Sequence, residues 1–308
     1  MKITKNSWAY YALAFLATFL WGSAFAGAKI GFVYMPPMML SGIRFTLAGL
    51  LLAPMILITK LDWRAQWRAH WRFMLLFGFI QSFLQYGIFY MGLSLVPGAV
   101  SAIIIGTGPL FVAVMAHLTL RNDRLNWRTI VAIVLGLCGV VSISLTGEKI
   151  STSGYFYWGV ALLLISNMIG SYTNIMVFKR GGALSSMMLT MVSNFSGGLM
   201  LFLFSLFVEP TEALCSALPL EFYLAIIWLA IIPAAGFSIW YYLLALPGVK
   251  VSELNIFKFV IPIVGVVLSW WLLPSEYPTW GTVIGIVIIS AAVITLQIPA
   301  IRSAIKNR

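Results

Sequence analysis

The sequence is poor in charged residues, and acidic residues are the scarcest of them. Only 9% of its 308 residues are charged, and Asp and Glu together number eight. Soluble domains carry about 25% charged residues, so this composition excludes an ordinary soluble protein. Positions 73–120 contain no Asp, Glu, Lys or Arg. One helix over that run would measure about 70 Å, more than twice the roughly 30 Å of a bilayer's hydrocarbon core, so the run holds more than one membrane span.

Residues that build enzymatic and metal sites are scarce as well. The chain has two cysteines and two histidines, and Cys138 and Cys215 are predicted at different membrane depths, which argues against a disulfide between them. The sequence has no intramembrane aspartate pair, no His/Glu metal cluster and no glycine-rich phosphate loop. We therefore expect a protein that is not an enzyme and that uses no metal and no cofactor.

What the sequence has instead is long apolar stretches, with 61% hydrophobic residues. The turn signal Val96-Pro97-Gly98 divides the uncharged run into two spans. Similar stretches recur along the chain, and the predicted fold class is an all-α polytopic membrane protein. We expect ten transmembrane helices, at about 8–30, 36–58, 73–95, 98–118, 127–146, 156–178, 183–208, 222–245, 249–273 and 277–298.

The basic residues fall mainly on one side of this predicted topology. With the N-terminus inside, the inner segments hold fifteen of the nineteen lysines and arginines: Lys2, Lys5, Lys60, Arg64, Arg68, Arg72, Arg121, Arg124, Arg128, Lys179, Arg180, Lys250, Arg302, Lys306 and Arg308. This positive-inside asymmetry predicts a multi-pass protein of the cytoplasmic (inner) membrane with both termini in the cytoplasm. The net charge of +11 then indicates anionic lipid at the cytoplasmic face and does not indicate nucleic acid.

The two halves of the chain share short patterns in the same order. Gly22-Ser23 matches Gly170-Ser171, and Pro97-Gly98 matches Pro247-Gly248. At one constant offset, the residues Pro109, Asp123 and Trp127 match Pro262, Glu276 and Trp280. We therefore interpret residues 1–150 and 151–308 as two five-helix repeats. Because five is odd, the second repeat would cross the membrane in the opposite sense, as in inverted-repeat transporters.

Four segments carry a family resemblance: Phe19-Leu20-Trp21-Gly22-Ser23-Ala24-Phe25 closing on Lys29, then Gly42-Ile43-Arg44-Phe45, Phe259-Val260-Ile261-Pro262-Ile263-Val264-Gly265, and Leu272-Leu273-Pro274-Ser275-Glu276. They resemble EamA-type permeases, in the ten-helix branch of the drug/metabolite transporter (DMT) superfamily. One departure is Asp123, where the family has Glu. The resemblance implies a bacterial basket of ten helices around a central cavity, which moves small metabolites, often amino acids, outward.

Two prolines and a glycine pair bear on how such a basket moves and assembles. We expect Pro109 and Pro262, at matched positions of the fourth and ninth spans, to act as hinges. Gly281-x-x-x-Gly285 in the last span offers a close helix contact, either internal or between two copies. The expected state is a monomer or a weak homodimer.

Two cations are predicted within spans, where a charge costs at least about 2.5 kcal/mol unless it is paired or snorkels. Asn255, Lys258 and Pro262 share one face of the ninth helix, and Asn255-x-x-Lys258 resembles a pattern of the triose-phosphate translocators, where the lysine contacts anionic cargo. The alternative for Lys258 is a pair with Glu253 or a side chain that snorkels inward. Arg44 is expected to be a structural intramembrane charge, with a substrate carboxylate as its alternative partner.

Polar and aromatic side chains complete the predicted substrate site. Asn167, Ser171 and Asn174 form a polar stripe on the sixth span. Gln81 and Gln85 form a short one on the third span, beside Tyr86 and Tyr90, and interhelical hydrogen bonding is the alternative for any single Asn or Gln. Trp21, Trp240 and Tyr241 lie away from span ends, where they would either stack on a substrate or pack against other helices. The predicted substrate-binding set is Lys258, Asn255, Asn174, Ser171, Asn167, Gln85, Tyr86, Trp21, Trp240 and Tyr241.

We expect a transporter that exports a small organic metabolite, an amino acid or a related compound, by alternating access. The alternatives are efflux of drugs or other cations, which a basic cavity disfavours, and a non-transport role such as a scramblase or a sensor. Facilitated diffusion and proton exchange both remain open, because only Glu253 offers a carboxylate near a span interior.

Overall fold

The computed structural model of this chain describes residues 7–59, 61–119, 127, 130–131, 134–136, 138–139, 141–142, 154–215, 217–249 and 251–306, with some side chains within these ranges left out. Outside the description lie the two termini, Asp123, half of the predicted fifth span and the boundary between the predicted repeats at 150/151. The side chain of Glu253, the predicted alternative partner of Lys258, is outside it as well.

Seven of the described helices are long and apolar enough to cross a membrane. They are α1 (Trp8–Phe32), α2 (Pro37–Ile58), α3 (Trp63–Leu95), α4 (Gly98–Thr119), α5 (Phe156–Arg180), α6 (Ser186–Val208) and α7 (Leu220–Leu244). Two further helical segments follow: α8 over 251–272, and α9 at Trp280–Lys306. The chain is thus a multi-pass membrane protein, as the apolar stretches predict. Described residues between 127 and 142 are helical too.

The third helix begins ten residues earlier than the sequence predicts. The expected span started at 73, but α3 begins at Trp63 and continues for 33 residues. Asp62 caps its first turn, accepting from the backbone N–H of Ala65 at 3.0 Å. The first turns of α3 carry arginines beside tryptophans, with the Arg64 guanidinium 5.2 Å from the Trp63 ring centroid. Because a 33-residue helix is about 50 Å long, this amphipathic beginning extends past the hydrocarbon core.

Eight of these elements contact one another in a closed ring. Following the contacts around, the order is α1, α7, α2, α6, α3, α5, α4, α8 and back to α1. The α2–α6 contact is the closest, because each helix places glycines against the backbone of the other. A methyl group built on Gly49 would lie 2.5 Å from Cβ of Phe195, and one on Gly198 would lie 2.5 Å from the backbone nitrogen of Thr46. Side chains larger than glycine at these crossings would push the helices apart.

Two ring helices are interrupted, and each interruption immediately precedes one of the predicted hinge prolines. In α4, a turn at Gly106 and Thr107 separates Gly98–Ile105 from Gly108–Thr119, and Pro109 follows it. In α8, a 3₁₀ turn at Asn255–Phe259 precedes the α-helical part Val260–Leu272, which contains Pro262. Proline lacks the backbone N–H that would donate to the carbonyl four residues earlier. Pro109 and Pro262 therefore each leave one carbonyl of the preceding turn without its usual helical partner.

Candidate functional site

A cavity of about 110 Å³ lies inside the ring, enclosed by residues of every ring helix except α6. Nine of the ten predicted substrate-binding residues line it: Lys258, Asn174, Ser171, Asn167, Gln85, Tyr86, Trp21, Trp240 and Tyr241. Arg44, predicted to be structural, lines it as well. The polar residues predicted on separate helices therefore converge on one space.

Arg44 is held within a cage of aromatic rings. Its guanidinium carbon lies 4.5 Å from the ring centroid of Phe45, 4.9 Å from that of Tyr90 and 5.5 Å from that of Tyr86. Nη1 donates a hydrogen bond to the Tyr90 hydroxyl, and the residue is only 2% exposed. Cation–π contacts with buried rings stabilise such a charge by about 2 kcal/mol or more. Arg44 is thus fixed by protein groups on nearly every side.

Lys258 has a different environment. Its ammonium lies 5.2 Å from the ring centroid of Trp240, and the side chain is partly exposed to the cavity. Trp240 is itself fixed, because its indole N–H donates to Oδ1 of Asn174 at 2.8 Å. Asn174 in turn donates to the carbonyl of Gly170 at 2.7 Å. A chain of contacts from α5 through α7 thus positions the aromatic face on which the lysine rests.

Asn167 braces the interruption in α4. Its Nδ2 donates to the carbonyl of Ile104 at 3.0 Å and to the hydroxyl of Thr107 at 3.2 Å. The first acceptor lies in the last turn of Gly98–Ile105, and the second lies in the interruption that follows it. Ser171, one helical turn further along α5, donates to the carbonyl of Asn167 at 2.7 Å. The stripe predicted on this helix therefore has a structural use in addition to its place in the cavity wall.

Asn255 is the predicted site residue that does not line the cavity. It is buried, and its Nδ2 donates to the carbonyl of Val251 at 2.7 Å. Because the short side chain bonds back to the preceding turn of its own helix, its amide does not reach the cavity that Lys258 enters. In this structure Asn255 thus lies apart from the cavity that Lys258 lines, and joint action of the two residues on the cargo stays a prediction.

The N-terminal ends of two helices are capped by carboxylates from the other half of the chain. Glu276 accepts from the backbone N–H groups of Gly98 at 2.5 Å and Ala99 at 2.8 Å, at the start of α4. Glu209 accepts from those of Met38 and Met39, both at 2.8 Å, at the start of α2. Each carboxylate satisfies N–H groups that the helix leaves free and lies at the positive end of the helix dipole.

The pKa of the Glu209 carboxyl is raised by its partial burial, while the two backbone N–H groups that it accepts from act in the opposite direction. A second carboxylate near this end, that of Glu221, accepts from the Tyr34 hydroxyl at 3.0 Å. That hydrogen bond raises the pKa of the Tyr34 phenol. Acidic side chains thus hold the N-terminal ends of α2 and α4 and the Tyr34 hydroxyl that precedes α2.

A larger crevice of about 1110 Å³ lies along a different face of α1 and shares no lining residue with the central cavity. Its walls are mainly apolar, from α1, α7 and α8. At one end Lys29 donates to the carbonyl of Ser94 at 3.4 Å, close to the Glu276 cap of α4. The charged groups of the crevice, Lys29, Glu221 and Glu276, are hydrogen-bonded to protein groups, whereas the central cavity is lined by several polar atoms without a partner, and we take the central cavity as the candidate site.

The model of the EamA-like transporter family matches the chain twice, at residues 8–145 and 157–297. The protein belongs to the EamA-like transporter family. The two matches fall in the two halves that the internal sequence patterns distinguish. A protein of known crystal structure, 18% identical in sequence, has the same fold, with a TM-score of 0.70 over 96% of this chain and 98% of that one.

Several relatives of this EamA-like protein carry transporter names. An uncharacterized transporter of Archaeoglobus fulgidus is 27% identical over 160 residues, which cover 52% of this chain and 53% of the relative. The uncharacterized transporter YetK of Bacillus subtilis is 23% identical over 276 residues, 89% of this chain and 82% of the relative. A probable amino-acid metabolite efflux pump of Escherichia coli is 24% identical over 147 residues, 46% of each. The matches thus span about half the length of the Archaeoglobus and Escherichia relatives.

The EamA-like chain also has a site residue that the predicted set omits. Gln81 is 1% exposed and lines the cavity beside Gln85. Both glutamines belong to a π-helical segment, Phe79–Gln85, within α3. The sequence showed the two glutamines four residues apart, but it gave no sign of the π-helical segment. Such segments often occur at functional sites.

Proposed function

We propose that this protein moves a small organic metabolite bearing a carboxylate, such as an amino acid or a related compound, out of the cell by alternating access. The observation that carries the proposal is the position of Lys258, a cation that enters a central cavity and rests on the face of Trp240. A carboxylate is the group that such an ammonium binds through a charge-assisted hydrogen bond. The name of the Escherichia coli relative, an amino-acid metabolite efflux pump, supports the same class of cargo.

The cavity volume supports alternating access. A space of 110 Å³ has the volume of about four waters at roughly 30 Å³ each, whereas ligand pockets usually measure about 300–1,000 Å³. The cavity must therefore widen before most cargo enters or leaves. The interrupted helices α4 and α8 provide points at which the ring can bend, next to Pro109 and Pro262.

The proposal includes ten spans in two inverted five-helix repeats, with both termini in the cytoplasm of a bacterium and anionic lipid at the basic face. Gly154 and Gly182 test this topology as a matched pair. A methyl group built on Gly154 would meet no atom within 4 Å, and one on Gly182 only the carbonyl of Ala245 at 3.9 Å. In a background without Cys138 and Cys215, Gly154→Cys is expected to react with an impermeant thiol reagent from outside, and Gly182→Cys only after permeabilisation. The reverse labelling would overturn the topology.

Transport itself is tested with purified protein in proteoliposomes. Counterflow of radiolabelled amino acids is expected for the parent, and Lys258→Met is expected to weaken it. Efflux of cations is the second candidate, because the faces of Trp21 and Trp240 are groups on which a cation can rest. Arg44 and Lys258 line the same cavity and would repel such cargo. Counterflow of lipophilic cations without counterflow of any carboxylate would make cation efflux the better-supported function.

A further inference from the structure

Unpaired polar atoms are concentrated around the central cavity. Among the described residues, ten buried side-chain nitrogen and oxygen atoms have no hydrogen-bond partner in the protein. Five of these ten belong to cavity-lining residues: Nε1 of Trp21, Nε of Arg44, Nε2 and Oε1 of Gln81, and Oε1 of Gln85. Buried polar groups are nearly always bonded, so five of them around one small space indicate a place where a polar ligand binds.

Gln81 is the most unusual of these residues, because both ends of its carboxamide are unpaired. The Tyr241 hydroxyl lies beside it, but the two groups do not form a hydrogen bond of standard geometry. Leaving a buried donor and acceptor unbonded destabilises the fold. An apolar side chain of the same size would avoid that penalty, so packing alone does not explain a glutamine at this position.

The backbone around the glutamines is shaped to bring them to the cavity. The π-helical segment of α3 inserts an extra residue into the turn and changes the direction of the side chains that follow. Gln85 lies against Gly170 of α5, where a methyl group would be 2.5 Å from Nε2. The absence of a side chain at Gly170 is thus what makes room for this amide.

The opposite wall of the cavity supplies a complementary donor. Trp21 lies on α1, across the ring from α3, and its indole N–H has no partner. Gly236 leaves room for this indole as well, with a methyl group there only 2.9 Å from Nε1. Together the two walls offer N–H donors from Trp21 and Gln81 and carbonyl acceptors from Gln81 and Gln85.

We propose that Gln81, Gln85 and Trp21 form a hydrogen-bonding subsite that selects carboxylates whose remaining part is itself polar. The cargo would carry both a donor and an acceptor, as a carboxamide or a hydroxyl does. Aliphatic and aromatic amino acids are disfavoured because they leave these groups unbonded. The small volume of 110 Å³ agrees with a compact polar cargo. This inference rests on the proposed function and names the substrate class for it.

Pairs of amino acids with similar shape test the subsite. Counterflow in proteoliposomes would compare asparagine with leucine and threonine with valine. For the parent, the polar member of each pair is expected to be transported at least about tenfold better, since a site built to hydrogen-bond a group discriminates strongly against an analogue that lacks it. Gln81→Met is expected to reduce that ratio by about tenfold, mainly through slower transport of the polar member, without lowering the melting temperature.

Two variants separate this role from a structural one. Gly170→Ala displaces the Gln85 amide without removing it and is expected to reduce the ratio in the same direction. Gln66→Met is the matched control, since it makes the same substitution on the same helix at a residue that does not line the cavity, and it is expected to preserve the ratio. If Gln66→Met reproduces the Gln81→Met effect, the ratio does not report on the cavity and the subsite is wrong.

The remaining outcomes distinguish the subsite from the proposed function. One outcome would overturn the subsite alone: Lys258→Met loses counterflow, but Gln81→Met keeps the parent's ratio of polar to apolar transport. That result would show that water satisfies the glutamines. A parent that prefers leucine or valine would also overturn it. No counterflow of any carboxylate by the parent would overturn both.

Discussion

Arg44 and Lys258 are two cations at the wall of the same cavity, and their surroundings differ in kind. Arg44 is enclosed by three aromatic rings and bonded to the Tyr90 hydroxyl. Lys258 has the face of one ring, that of Trp240. Arg44 also lies in an unbroken helix, α2, whereas Lys258 lies in the 3₁₀ turn that interrupts α8. Protein groups thus surround most of the Arg44 guanidinium, although its Nε has no partner, whereas Lys258 faces the cavity with one ring beside it.

Membrane depth alone therefore does not identify a binding residue. Both cations are costly by the same argument from sequence. Only the arrangement of neighbours separates them, and those neighbours come from other helices of the ring.

The largest effect is expected from Arg44→Met. The substitution removes the cation from three rings and leaves the Tyr90 hydroxyl without its donor, which together cost about 2–4 kcal/mol. The variant is expected to melt at a lower temperature in detergent and to lose transport with the folded fraction. A thermal melt followed through the tryptophan signal measures this. Normal stability in Arg44→Met would show that the cage contributes little.

Lys258→Met is expected to separate stability from transport. Loss of a charge-assisted hydrogen bond to a carboxylate weakens binding by about 1.5–3 kcal/mol, or roughly ten- to a hundredfold. Because the substitution also removes the cost of holding a charge within the membrane, the melting temperature is expected not to fall. Counterflow and a thermal melt on one preparation give both values. Normal counterflow with a lowered melting temperature would favour a structural pair, as with Glu253.

Asn167→Ala is expected to have an intermediate effect, because it removes the brace from the turn in α4. Two hydrogen bonds are lost, at a cost of about 0.5–1.5 kcal/mol each, while the carbonyl of Ile104 keeps its hydrogen bonds from Thr107. Asn167→Asp is the matched variant, since it keeps the size but removes the donor. Both variants are expected to lower the melting temperature. A normal melt with a loss of counterflow would instead give Asn167 a direct role toward cargo.

The smallest effect is expected at the N-terminal cap of α2. Since burial raises the pKa of Glu209 above its ordinary 4.5, the folded protein binds that proton more tightly than the unfolded chain. The contribution of this carboxyl therefore becomes more favourable as pH falls toward the raised pKa, and it is lost as pH rises through it. Glu209→Gln is expected to remove this small pH dependence from the melting temperature between pH 7 and 5. An unchanged pH profile would contradict it.

Much of the fold is readable in the sequence because the bilayer imposes a simple requirement on length and polarity. Helices such as α2 and α6 begin and end within a few residues of the predicted bounds, since an apolar segment of that length has few other stable states in a membrane. The beginning of α3 was missed because an amphipathic turn at the interface has the composition of a loop. The π-helical segment Phe79–Gln85 was missed because no local signal marks the extra residue.

The membrane class and the approximate bounds of helices such as α2 and α6 follow from the sequence alone, since they depend on hydrophobicity and local spacing. Only the tertiary structure decided their uses. It placed Trp21, Gln85, Asn174 and Lys258 around one cavity, turned Asn255 back onto its own helix and enclosed Arg44 in aromatic rings. The physical reason is that a polar side chain in a membrane acts according to the partners it meets, and those partners come from helices far away in the chain.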